Sequence, residues 1–425
     1  MNSITEIKND ILCEKYYRIN HSSGLTVLIM PKEGYSSSYA LFGTKYGSID
    51  NVFRKKGEKE FTRVPEGIAH FLEHKLFESE DLDAFERYAK TGASANAFTS
   101  FDRTCYLFSC TDNFRQNLEI LLDFVSSPYF TQQTVEKEQG IIGQEIRMYK
   151  DVPGWEVLFN LLRCLFHTHP VAIDIAGTEE SIARIDADML YKCYNTFYNL
   201  NNMVLAVAGN ITKEEVLETC DKYLKKSESF EIERYFENEP ANVVSDYMEE
   251  KLSVATPVFN LGFKETHGKP ERSLKDEICA DIILEAVAGN TSELYKQLID
   301  EGLINTSFSC EYFTGYGYAV MIFGGESSNP GEVADRIKAK IKEFKKDGIG
   351  EENFKCALRK LYGRTIMAYN DIEYLADSLI KSEFMGETLF DDMDIYKSLT
   401  VKDVDDYLKN VLDEKYSALS VVNPV

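Results

Sequence analysis

Ser38–Gly47 reads SYALFGTKYG, and Thr256–Lys264 reads TPVFNLGFK. Both are short runs rich in aromatic and aliphatic residues, and both predict a strand. Working outward from them, the same order of elements unfolds twice. Ahead of the first lie strands over Lys15–Ile19 and Leu25–Met30, split by the turn His21-Ser22-Ser23-Gly24. After it come a charged loop, Asn51–Arg63, and a helix over Gly67–Glu78 with apolar spacing Ile68, Phe71, Leu72, Leu76. A second helix follows over Asp81–Thr91. Ala95–Ser109 predicts a hairpin turning at Asp102-Arg103. Helices follow over Asn113–Ser126, Thr131–Tyr149 and Asp186–Tyr198, then a strand over Asn202–Ala208. Beyond TPVFNLGFK, helices over Ser273–Ile299 and a hairpin over Ser307–Gly324 recur. They are followed by helices over Gly331–Lys346, Glu351–Asn370 and Thr400–Asn410 and a strand over Tyr416–Val422. The repeat distance is roughly 210 residues, which implies two alike α+β domains. The acidic, aperiodic stretch KKSESFEIERYFENEPANVVS at 225–245 reads as their linker, giving domains 1–224 and 246–425.

The 425 residues exceed what one hydrophobic core usually serves. With 47 Lys+Arg against 70 Asp+Glu, the net charge is −23. That balance argues against nucleic acid or an anionic membrane surface as the partner, because both repel such a chain. The N-terminal MNSITEIKND lacks a secretory pattern. The longest apolar run, Val157–Phe166, is too short to span a bilayer and is broken by Asn160 and Arg163. Nine scattered cysteines without a CxxC pair fit free thiols in a reducing compartment, so the expected localisation is cytoplasmic.

The chemistry concentrates in His70-Phe71-Leu72-Glu73-His74. Positions four apart share one helix face, so both imidazoles can reach one ion. His-x-x-Glu-His is the inverted order of the His-Glu-x-x-His metallopeptidase signature, with the Glu placed to take a proton from water. The bland reading is a solvated helix face with two incidental histidines. A third ligand is needed for a catalytic zinc set. The helix over 131–149 offers Glu136, Glu138 and Glu145. Glu138 and Glu145 share a face, and Glu145 sits among Ile141, Ile142, Ile146 and Met148. Gly140 and Gly143 could permit close approach to the His helix. An ordinary acidic amphipathic helix is the alternative. His167 and His169 read as structural or surface residues.

These residues together resemble the insulinase/pitrilysin family of inverzincin zinc peptidases, in the short-chain branch that includes mitochondrial processing peptidase. The likeness rests on Gly47-Ser48, HFLEH at 70–74, GASANAFTS at 92–100 and EKEQGIIGQEI at 136–146, and it extends over nearly the whole chain. It implies two homologous domains, each a mainly antiparallel sheet packed against helices. It implies Zn2+ held by His70, His74 and Glu145, Glu73 as general base, and Glu138 as a carboxylate that orients a ligand. It further implies that Ala95, Asn96, Ala97, Phe98 and Thr99 form an edge strand onto which a peptide adds. The activity so implied is that of a zinc metalloendopeptidase. One departure stands out. The family's substrate-clamping Arg and Tyr, flanking a Gly-Leu pair matched here by Gly302-Leu303, fall on Leu298 and Asn305. Neither side chain supplies a guanidinium or a phenol. The expected partner is therefore a second family member bringing the clamp, in a heterodimer, or a second copy in a homodimer. Tyr312, Tyr316 or Tyr318 could instead substitute. A non-catalytic peptide-binding or structural subunit is the rival reading.

Overall fold

Residues 2–80, 83–266 and 270–425 are described in a computed structural model of the chain. His267, and Asp81 and Leu82 at the start of the expected 81–91 helix, lie outside them. The first unit comprises Met1–Ile146, Asp174–Phe236 and Ile366–Phe390, and the second Arg147–Ile173, Glu237–Thr365 and Asp391–Val425.

The strands of the first unit are β1 (Ser3–Asn9), β2 (Glu14–Asn20), β3 (Thr26–Pro31), β4 (Ser38–Thr44), β5 (Val52–Lys55), β6 (Thr62–Arg63), β7 (Ser94–Thr99), β8 (Thr104–Cys110), β9 (Met203–Gly209) and β10 (Ile232–Arg234). Those of the second are β11 (Tyr247–Leu252), β12 (Val258–Lys264), β13 (Ser309–Gly315), β14 (Tyr318–Glu326) and β15 (Ser417–Pro424). Seven strands of the first unit form one sheet in the order β1-β2-β3-β9-β4-β8-β7, and the second unit's sheet runs β11-β15-β12-β14-β13. The pairs β3/β9 and β11/β15 are parallel; every other ladder in these two sheets is antiparallel. From β3 to β7, the first sheet repeats the order and sense of the second. The fold is thus α+β, with one plan used twice.

Packing explains why the units are not contiguous in sequence. All seven residues of β4 and all seven of β9 are buried, so this part of the sheet must be covered on both faces. The helix Ile372–Met385, late in the chain, lies against β4 and β9. The helix Pro153–Leu165, early in the chain, lies against β12 and β15. Each half of the sequence therefore lends a helix to the other half's sheet. The division at 1–224, 225–245 and 246–425 differs from this arrangement for that reason. Part of the expected linker is also structure. β10 pairs with β5, within the expected 51–63 loop, and Arg234 Nε donates to Asp50 Oδ1 at 2.7 Å. Among the described residues, no helix is long and apolar enough to cross a membrane.

Candidate metal centre

The helix carrying HFLEH spans Ile68–Leu76. Its start is pinned by two glycines. Gly67 has φ 86°, and a Cβ there would lie 2.3 Å from the Ala176 carbonyl oxygen. Gly177 has φ 76°, and its Cβ would lie 2.5 Å from the Glu66 carbonyl oxygen. Only glycine suits both the left-handed backbone and the close approach. Ser181 Oγ adds a hydrogen bond to the Glu66 carbonyl at 2.8 Å. Ile68, Phe71, Leu72 and Leu76 are buried in the core. The two imidazoles stand one turn apart, with ring centroids 4.5 Å from each other.

The helix Gln132–Lys150 brings the carboxylates. Glu145 Oε1 lies 3.7 Å from His70 Nε2, and Glu145 Oε2 lies 3.5 Å from His74 Nε2. One ligand atom from each of His70, His74 and Glu145 lies within 4.8 Å of the others. Among the described residues, this is the one group of His, Cys, Asp or Glu so placed for a metal. The separations are too long for good hydrogen bonds. They are close to the roughly 3.3 Å between donors around a tetrahedral ion with bonds near 2.0 Å. His74 Nδ1 meets Glu138 Oε1 at 3.0 Å. With its Nδ1 proton donated there, neutral His74 turns an Nε2 lone pair toward a carboxylate oxygen. A proton could reconcile that one pair, whereas a metal ion reconciles all three donors at once. The donor set therefore fits a divalent ion of the zinc type.

The electrostatics agree. Burial, aided by the charge of His74, pushes the His70 pKa down to about 3, which leaves its imidazole neutral and able to ligate. Burial also acts against His74⁺, but the Glu138 hydrogen bond and the charges of Glu73, Glu145 and Glu138 outweigh it, and the pKa rises. Burial raises Glu73 despite the Thr99 hydrogen bond and the charge of His74. It raises Glu145 despite His74. Crowded titratable groups of this kind are relieved by a bound cation, which inverts the local pKa logic.

Beside the cluster, Glu73 is 8% exposed and its Oε2 accepts a hydrogen bond from Thr99 Oγ1 at 2.8 Å. Thr99 ends β7, which among the described residues pairs only with β8 and is a sheet edge. Ala95, Asn96, Ala97 and Phe98 lie on the same edge strand. Sequence reasoning placed these residues in the site but missed the link from Thr99 to Glu73. It also missed Gly67, Gly177 and Ser181. The positive φ of the glycines leaves no periodic trace, and their contact is remote in sequence.

Glu136 is exposed and accepts from Gln132 Nε2. A Cβ at Gly140 would meet nothing within 4 Å, so close approach is not its purpose. His169 takes structural bonds, Nε2 to the Tyr316 carbonyl at 3.0 Å and Nδ1 from Val171 N–H at 3.1 Å. In the second unit, Leu298 is fully buried. Asn305 donates to Glu326 Oε2 at 2.6 Å and accepts from Ser307 N–H at 2.8 Å. Of the three tyrosines, Tyr318 is buried, Tyr312 meets Tyr407 through their hydroxyls at 3.2 Å, and Tyr316 is exposed.

The profile described as Insulinase (Peptidase family M16) matches residues 60–179, and Peptidase M16 inactive domain matches residues 184–361. A Bacillus subtilis protein described as uncharacterized zinc protease YmfH is 41% identical over 422 residues, covering 98% of this chain and 97% of its own. The chain belongs to the insulinase family, peptidase family M16. Among solved M16 structures, a putative M16-like peptidase from Alicyclobacillus acidocaldarius superposes with a TM-score of 0.92 at 34% identity, covering 100% of this chain and 99% of that one. Pitrilysin superposes with a TM-score of 0.76 at 16% identity, covering 99% of this chain and 46% of pitrilysin. That last likeness is one of fold.

Proposed function

We propose that this M16 protein is a zinc metalloendopeptidase acting on peptides or unfolded segments. The observation carrying the reading is the convergence of His70 Nε2, His74 Nε2 and a Glu145 carboxylate oxygen within 4.8 Å, with Glu73 alongside. The names of the relatives, which are zinc proteases, support the choice of ion. When bound, zinc supplies acidification of water and polarisation of a carbonyl. His70, His74 and Glu145 hold it, and Glu138 orients His74. Glu73 takes the proton of the attacking water and passes it to the leaving amine. The exposed edge of β7 binds the substrate backbone as an added strand. Substitution Glu73→Gln should retain one zinc per chain and lose about 10²–10⁴-fold in turnover. Full turnover by that variant would refute the assignment.

A second reading is favoured by Leu298 and Asn305. Neither can act as the clamp, since neither carries a guanidinium or a phenol, and Leu298 is buried. We infer that the chain is the zinc-bearing subunit of a heterodimer whose other member supplies those groups. Peptide hydrolysis by the purified chain, alone and mixed with a second M16 member from the same cell, separates the cases. Activity only in the mixture supports the heterodimer. Activity of the chain alone at the same rate excludes it. No activity in either supports a peptide-binding subunit.

A further inference from the structure

Glu73 accepts one hydrogen bond from the described residues, and it comes from the strand offered to the substrate. Ala95, Ala97 and Thr99 alternate along β7 and so share one face. Ala95 and Ala97 pack against the core that includes Ile68, Phe71 and Leu72. Two small residues let the HFLEH helix lie close to β7, and the third position of the row brings a hydroxyl to Glu73 Oε2 at 2.8 Å. A hydroxyl has one proton to donate. Thr104, paired with Thr99 across the hairpin, commits its own proton to the Tyr46 carbonyl at 2.9 Å and lies 3.5 Å from Thr99 Oγ1. The Thr99 proton is therefore directed to Glu73. Threonine is also stiff at χ1, so the direction of its hydroxyl follows the strand.

We propose that Thr99 is the positioning residue for the Glu73 carboxylate. It fixes Oε2 and leaves Oε1 to the attacking water, and it ties the base to the strand onto which a peptide would add. The inference rests on Glu73 being the general base, and it adds a residue whose effect runs through that base rather than through the metal.

The test uses the full zinc-loaded chain, with its partner if activity requires one, as Thr99→Val and Thr99→Ser. Valine keeps the shape and removes the hydroxyl; serine keeps the hydroxyl. Thr99→Val is expected to lose about 10–100-fold in kcat, the usual effect of removing a residue that orients a reacting group. KM and zinc affinity should stay within about twofold, because neither binding step uses the bond. Thr99→Ser should restore kcat to within about threefold. Crystal structures of both variants give a readout independent of turnover. The Glu73 carboxylate should leave its place in Thr99→Val and keep it in Thr99→Ser. Wild-type kcat in Thr99→Val, a loss that serine does not rescue, or an unmoved Glu73 in Thr99→Val overturns the proposal. If the wild type hydrolyses nothing, the peptidase reading fails on its own, and the two structures still decide what Thr99 does.

Discussion

His74 shows how one side chain can state what a site is for. Its two ring nitrogens face two different carboxylates, Nδ1 at 3.0 Å from Glu138 and Nε2 at 3.5 Å from Glu145. The shorter contact is a hydrogen bond; the longer one is too long for a good one and matches the spacing of two donors around a tetrahedral ion. Glu138 is 5% exposed, so its burial is tolerable only because it is bonded. In the proposed zinc site its work would be to hold the ring and keep the Nε2 lone pair directed at the ion. Substitution Glu138→Ala should weaken zinc binding by about 10–100-fold while leaving the far-ultraviolet circular dichroism unchanged. A competition titration with a chelating dye measures it, and an unchanged affinity would remove Glu138 from the site. Substitution Glu145→Gln should abolish stoichiometric zinc, and full metal content would move the third ligand elsewhere. Much of this was legible in the sequence, because helical spacing puts His70 with His74 and Glu138 with Glu145. What spacing could not supply was the pairing of the two helices, which lie far apart in sequence and meet where Glu138 and Glu145 reach His74 and His70.

At the scale of elements, the helices Lys213–Tyr223 and Ile372–Met385 gave no reading in the sequence, whereas the helices Phe114–Val125, Gln132–Lys150, Pro330–Asp347 and Glu351–Ala368 and the two hairpins were legible. β1 and β11 were not. Both lie at sheet edges with mostly exposed residues, so neither carries an alternating apolar pattern. The helix Pro153–Leu165 registered only as an apolar run broken by Asn160 and Arg163. In the fold, Asn160 donates to Glu250 and accepts from Arg163, so the interruptions are satisfied polar contacts on a buried helix. A neighbouring connection illustrates the same remoteness. Glu239, from the expected linker, accepts from the backbone N–H groups of His167, Thr168 and His169 at 2.8–2.9 Å and from Lys264 Nζ at 2.6 Å. Burial pushes its pKa up, but Lys264 and the amides overcome this and bring it down to about 2 from an ordinary 4.5. The folded pKa lies below the unfolded one, so the tie stabilises above pH 4.5 and is lost as the pH falls from there toward 2. Glu239→Gln should therefore unfold at a lower urea concentration than the parent at pH 7. The gap should narrow steadily between pH 4.5 and the lowest pH at which both remain folded. A gap that is constant across that range would show that the carboxylate charge is not what the contact uses.

At the scale of the molecule, the repeat was visible as a pattern of elements, but the exchange of helices was hidden. Nothing in Ile372–Met385 says that it covers a sheet built from residues before 210. Two glycines mark the exchange. Gly43 in β4 and Gly262 in β12 occupy the same register, each one residue inside the start of the neighbouring strand, β9 or β15. A Cβ on Gly43 would lie 3.1 Å from Ile380 Cδ1, and one on Gly262 would lie 2.8 Å from Leu161 Cδ2. In both units the strand gives up a side chain so that the lent helix can seat a branched residue against the sheet. The charge of −23 bears on partners and leaves this packing untouched. Gly262→Val should accordingly cost about 1–3 kcal/mol, the usual penalty of overpacking. Leu161→Ala, which empties a fully buried position, should cost about 2–5 kcal/mol by itself. Combined, the two should cost less than their sum, by about 0.5–3 kcal/mol, because the valine fills the space that the leucine vacates. Urea unfolding of the four proteins measures this coupling. Strict additivity would mean that the glycine is not there to admit the helix, and the exchange would need another explanation in the sequence.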